Sequence, residues 1–92
     1  MSEVRRTCTI VNQRGLHARA SAKFVSAVAV LPAGTAVKVA KGASCAGGAS
    51  ILGLMMLGAA KGDTVEIVVA GENADAVLDQ LCALIDGGFG ED

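Results

Sequence analysis

The chain has 92 residues, 52% of them hydrophobic, with 8 Lys or Arg against 9 Asp or Glu for a formal net charge of -1. That length supports one small domain around one core. The balanced charge, with two Phe and no Trp or Tyr, excludes a polyanion-binding surface and the aromatic platforms on which single strands stack, so no nucleic-acid partner is expected.

The cysteines Cys8, Cys45 and Cys82 form no CxxC pair. They argue against a disulfide framework and a metal site, and read as three small, half-buried thiols of a reducing compartment. The start, "MSEVRRTCTIVNQ", lacks the apolar region of a signal peptide. The longest nearly apolar run, Ala49 to Ala60, is interrupted by Ser50, Gly53 and Gly58 and is too short to cross a bilayer. A soluble, cytoplasmic chain with no membrane insertion is expected.

Val4 to Val11 is rich in β-branched residues with partial alternation and reads as a strand; "NQRG" (Asn12 to Gly15) is a polar loop ending in a glycine. From Ala18 to Leu31 the apolar positions 18, 22, 25 and 29, widened by Phe24, Val28 and Leu31, predict an amphipathic helix that "PAG" (Pro32 to Gly34) stops. Thr35 to Lys41 is a second strand. "KGASCAGGAS" has room for a short third strand, although its propensity is that of a loop. Ser50 opens the short apolar helix "SILGLMML" as its N-cap, with Gly58 closing it. Thr64 to Ala70 alternates as another strand. Asn73 is placed to cap a helix from Ala74 to Asp86 with Ala74, Val77, Leu78, Leu81 and Ile85 inward, ended by Gly87 and Gly88. The last stretch, 86–92, reads as a loose tail. The order β-α-β-β-α-β-α within a single domain, 1–92, predicts an α+β open-faced sandwich: a four-stranded antiparallel sheet covered on one face by three helices.

The chemistry concentrates in "GLHARASAKFV", Gly15 to Val25, which holds the only histidine. His17 stands where a helix begins. The unpaired amides of Ala18, Arg19 and Ala20 and the positive end of the macrodipole would meet an anion there, and Arg19 adds a guanidinium fork suited to phosphate oxygens. A neutral imidazole is a competent nucleophile near pH 7. The residues alone leave this open, since a solitary histidine is more often a solvated or capping residue. No second His or Cys is placed to share a metal with it, and Ser21 and Ser26 stand on the same helix in no triad-like arrangement.

"GLHARASAKFV" resembles the GLHARPAxxFV segment of the HPr family, the histidine-containing phosphocarrier proteins of the bacterial phosphotransferase system. "SILGLMMLGAAKGD" resembles the same family's second signature, a serine before an apolar helix and a glycine-bounded turn. Both occur in family order, and the likeness runs from the first strand to the last helix. The resemblance implies a monomeric, cofactor-free phosphoryl carrier rather than an enzyme, with the family's four-stranded sheet and three helices. His17 is then phosphorylated on Nδ1 by phosphorylated enzyme I, ultimately from phosphoenolpyruvate, and passes the group to a histidine of an enzyme IIA. That acceptor serves sugar uptake or a nitrogen-related regulatory branch. Arg19 matches the arginine that holds and discharges the phosphoryl group. Ser50 matches the serine modified by HPr kinase/phosphorylase, and Ile51, Leu52 and Met55 match partner-docking positions.

Two departures stand out. Ala20 replaces the family proline, which returns one amide to the first helical turn, and "AGGA" replaces a VNAK-like stretch before Ser50. A regulatory binding module of the same fold acting only through Ser50, or a ferredoxin-like domain with no phosphate role, are the readings in competition.

Overall fold

A computed structural model describes residues 3–91. The elements follow as β1 (Glu3–Thr9), α1 (Ala18–Ala29), β2 (Ala36–Lys41), β3 (Ser44–Gly47), α2 (Ile51–Met56), β4 (Thr64–Ala70) and α3 (Ala74–Asp86), with a turn of 3-10 helix at Gly88–Gly90. The strands form one antiparallel sheet in the order β1-β4-β2-β3. This is the expected open-faced sandwich.

Side-chain alternation builds the core. Cys8 on β1, Val37 and Val39 on β2, Ala46 on β3 and Val65, Ile67 and Val69 on β4 are all buried, against Phe24, Leu54, Val77, Leu78, Leu81, Cys82 and Ile85 of the helices. The opposite face carries the exposed Arg5, which pairs with Glu3 at 2.8 Å and Glu66 at 3.2 Å. β3 persists despite its small residues because its backbone is registered on β2, Ala40 against Cys45 and Lys38 against Gly47.

The structure corrects several expectations. β1 stops at Thr9, because Ile10 leaves the ladder to pair with the turn before β4: its amide donates to Asp63 O at 2.9 Å, and Gly62 N–H returns a bond to its carbonyl at 2.8 Å. The fully buried residues of α1 are Ala20, Ser21 and Phe24; of the expected face, Phe24 is buried and Val25, Val28 and Leu31 pack partly against the core, while Ala18 and Ala29 are exposed. Alanines offer too little apolar area to set the face; the large Phe24 sets it. Ser21 is tolerated inside because its hydroxyl donates to Leu16 O at 3.2 Å. Asn73 does occupy the position before α3, but in the left-handed region (φ 59) with no side-chain cap bond. Asp75 supplies the negative charge of that first turn instead.

The largest correction concerns the tail. Residues 86–91 are not loose: Asp86 ends α3, Phe89 is 1% exposed within the core, and Glu91 bonds back to the first loop. Asp92 lies outside the described residues. Cys8 and Cys82 are not half-buried but fully so, and they touch each other, whereas Cys45 is exposed.

Gly15 anchors the loop that presents His17. Its φ is +63, and a Cβ there would lie 2.3 Å from Ala59 O and 2.9 Å from Ala60 Cα, backbone atoms of the segment that follows α2. The adjacent Leu16 amide donates to that same Ala59 carbonyl at 2.9 Å. Gly15→Ala is therefore expected to cost about 3 kcal/mol and lower Tm by on the order of 15 °C. Gly34→Ala, also at positive φ (+90) but with nothing within 4 Å, is expected to cost only about 1 kcal/mol of backbone strain. Thermal unfolding of both variants separates the clash from the strain.

Candidate functional site

His17 is the N-cap of α1, extended at φ -75 and ψ -178. The first intrahelical bond runs from Ser21 N–H to His17 O at 2.9 Å. The amides of Ala18, Arg19 and Ala20 therefore stand outside the ladder. That of Arg19 points at the imidazole, donating to Nδ1 at 3.3 Å. The other ring nitrogen, Nε2, lies 2.6 Å from Glu91 Oε2, with the two side chains 17% and 14% exposed.

These two partners assign the tautomer. An amide only donates and a carboxylate only accepts, so the proton sits on Nε2 and Nδ1 carries the lone pair. Glu91 is itself held: Asn12 Nδ2 donates to its Oε1 at 3.1 Å and to Gly15 O at 2.8 Å, from a side chain that is itself buried. Burial works to raise the Glu91 carboxyl. The bonds from Asn12 and His17 and the positive charge of Lys23 outweigh it, and the group rests below its ordinary value. Lys23 pins the tail a second time, donating from Nζ to Phe89 O at 2.6 Å.

Arg14, Arg19 and Lys23 line an open cleft of 390 Å³ with Gln13, Gly90 and Glu91. Three cations around one cleft next to an imidazole make a place for an anion. Arg19 contacts His17 through its amide alone. Its exposed guanidinium makes no hydrogen bond or ion pair among the described residues and is free to meet a ligand.

Ser50 caps α2, its Oγ accepting from Gly53 N–H at 2.9 Å. No hydrogen bond among the described residues joins it to the His17 cluster. The Leu16–Ala59 backbone bond ties the His17 loop to the segment that follows α2, and α2 also packs against α1. Leu54 and Leu57 of this segment are core, while Ile51, Leu52 and Met55 are 41%, 67% and 41% exposed. Met56, 78% exposed, extends the same apolar surface and was not among the expected docking positions.

Sequence reasoning also missed Asn12, Lys23 and Glu91. Asn12 carried a faint signal, an Asn three residues before a glycine in a turn. Glu91 carried none, being 74 positions from His17.

An imidazole with Nε2 held by a carboxylate and Nδ1 facing the start of a helix, on this sandwich, is the setting of a small group carrier. Residues 4–87 match the family model described as "PTS HPr component phosphorylation site". The chain is 40% identical over 91 residues to the phosphocarrier protein NPr of Shewanella violacea, covering 99% of this chain and 98% of that one. It is 43% identical over 84 residues to the phosphocarrier protein HPr of Pseudomonas aeruginosa, covering 90% and 91%. The crystal structure of HPr-C-His from Thermoanaerobacter tengcongensis superposes with a TM-score of 0.86 at 34% identity, over 100% of this chain and 99% of that one. The chain belongs to the HPr family, the phosphocarrier proteins of the phosphotransferase system.

Proposed function

We propose that His17 Nδ1 accepts a phosphoryl group from phosphorylated enzyme I, charged in turn by phosphoenolpyruvate, and passes it to a histidine of an enzyme IIA. The observation that carries this reading is the asymmetry of the imidazole: Nε2–H is engaged by Glu91 while Nδ1 meets only the Arg19 amide. In the transfer, the Nδ1 lone pair attacks phosphorus in line with the bond to the donor histidine, which breaks as the new N–P bond forms. The transferred oxygens move toward the amides of Ala18, Arg19 and Ala20 and the Arg19 guanidinium, which neutralise charge without moving far. Ala20 adds an amide where the family proline has none. Glu91 stays on Nε2–H and stabilises the positive charge that the ring gains on phosphorylation.

The exposed Ile51, Leu52, Met55 and Met56 supply the apolar contact that a transient partner needs, and the partners supply the alignment. Ser50 is the site for regulation by HPr kinase/phosphorylase. A phosphate there adds about -1.5 to -2 charge within the docking surface and repels an acidic partner face. The exchange takes place in the cytoplasm, in sugar uptake or a nitrogen-related branch, according to which enzyme IIA discharges the carrier.

The test is incubation with phosphoenolpyruvate and enzyme I, followed by intact mass and NMR. A mass gain of one phosphate, acid-labile, base-stable and located on Nδ1, is expected, and addition of the cognate enzyme IIA discharges it. An unchanged mass, or an acid-stable ester, defeats the proposal.

A further inference from the structure

Cys8 on β1 and Cys82 on α3 are brought together by the packing of α3 on the sheet, with Cys8 Sγ donating to Cys82 Sγ at 2.9 Å. Both are buried, 4% and 1% exposed. A disulfide needs about 2.05 Å between sulfurs and paired Cβ atoms that face one another. Two thiols already in contact across a strand–helix interface stand within about 1 Å of that sulfur separation. The pair also stands at a telling place in the chain. Cys8 lies nine positions before His17 and Cys82 nine before Glu91, so these residues root the two arms that meet at the imidazole.

We propose that Cys8 and Cys82 form an oxidation site that hydrogen peroxide closes to a disulfide. One sulfur attacks a peroxide oxygen, the O–O bond breaks and a first water leaves, which gives a sulfenic acid. The neighbouring sulfur displaces that oxygen as a second water, and the S–S bond forms. The two sulfurs lose the two electrons that the peroxide oxygens gain, and the thiol protons leave in the two waters.

The surroundings select the oxidant. Burial pushes the Cys8 thiol up to about 12, with Cys82 and Asp86 acting in the same direction and Arg6 against it. Cys8 is thus protonated and reacts slowly at neutral pH. An uncharged molecule little larger than water can reach it, while a charged tripeptide disulfide cannot. Cys45, exposed on β3, is the thiol open to bulky reagents.

The experiment is hydrogen peroxide treatment of the folded, full-length chain carrying Cys45→Ser, read by intact mass, non-reducing peptide mapping, thermal unfolding and amide exchange. The expected result is a loss of two hydrogen masses, a single peptide pair joining Cys8 to Cys82, and reversal by dithiothreitol. Closing so long a loop raises Tm by on the order of 10 °C, and amide exchange over 87–91 slows. Glutathione disulfide, applied to the unsubstituted chain, adds one glutathione at Cys45 and leaves the pair free. Cys8→Ser and Cys82→Ser each convert the loss of hydrogen into a gain of oxygen on the remaining thiol. Oxygen gain without cross-linking when both thiols are present, or a pair that stays reduced while folded and reacts only on unfolding, overturns the proposal.

Discussion

His17→Ala is expected to abolish phosphoryl acceptance from phosphoenolpyruvate and enzyme I, and Glu91→Gln to slow it by about 10- to 100-fold with the fold intact. The first expectation follows from count and geometry. No second histidine exists to take the group, and Ser50 caps α2 with no hydrogen bond to the His17 cluster among the described residues. The second follows from the 2.6 Å contact between Glu91 Oε2 and Nε2. A carboxylate in this position fixes the proton on Nε2, leaves the lone pair on Nδ1 and stabilises charge that grows on the ring during transfer. Glutamine keeps the shape but brings no charge, and turning its NH2 toward the ring would favour the wrong tautomer. Glu91 touches the imidazole and not the phosphoryl group, so it is a positioning residue, and rate alone is an insufficient readout. The 15N spectrum of the imidazole is the independent one: the parent shows a predominant Nε2–H tautomer, and Glu91→Gln shows a mixture. A Glu91→Gln protein with the parent's rate and the parent's spectrum would remove Glu91 from the site.

The features legible in the sequence are those that local rules determine. His17 at a helix start, Ser50 as an N-cap and Gly58 after α2 each follow from a few neighbouring residues, and the structure finds His17 and Ser50 capping as expected. β4 and α3 were bounded correctly because their apolar periods are unbroken. β3 was barely legible, since Ser44, Cys45 and Gly47 carry no strand signal and only registry on β2 holds them. The face of α1 was legible only in part: Phe24, Val25, Val28 and Leu31 lie on the core side, but spacing gives alanine and phenylalanine the same vote, whereas burial weights them by area. Lys23, Glu91 and the Cys8–Cys82 contact were beyond local reading altogether, as was the bond from Asn12 to Glu91. Each joins segments that the sheet order brings together only after the chain has folded, and neither motif contains either end of the Cys8–Cys82 pair.

Phe89→Ala is expected to be the most destabilising single truncation near the site, at about 3–5 kcal/mol, with a fall in Tm on the order of 20 °C. The phenyl ring is one of two in the chain and is 1% exposed, so its removal leaves a cavity that the aliphatic neighbours fill only in part. The backbone there is unusual as well: Phe89 sits at φ 59, between Gly88 at 65 and Gly90 at 73. Three successive residues in the left-handed region fold the chain back sharply after α3, and a non-glycine member of that run persists only because its surroundings hold it. The buried ring and the Lys23 bond to the Phe89 carbonyl at 2.6 Å are what hold it. Loss of the ring therefore releases the turn, and with it Glu91 from His17. The variant is expected to show two effects at temperatures where it is folded: the mixed tautomer signature of Glu91→Gln, and faster amide exchange over 87–91. Phe89→Leu, which refills most of the volume, is expected to cost about 1 kcal/mol and keep the Nε2–H tautomer. If Phe89→Ala unfolds no more readily than Phe89→Leu, the tail is not anchored through this ring and the site's carboxylate is held by Asn12 and Lys23 alone.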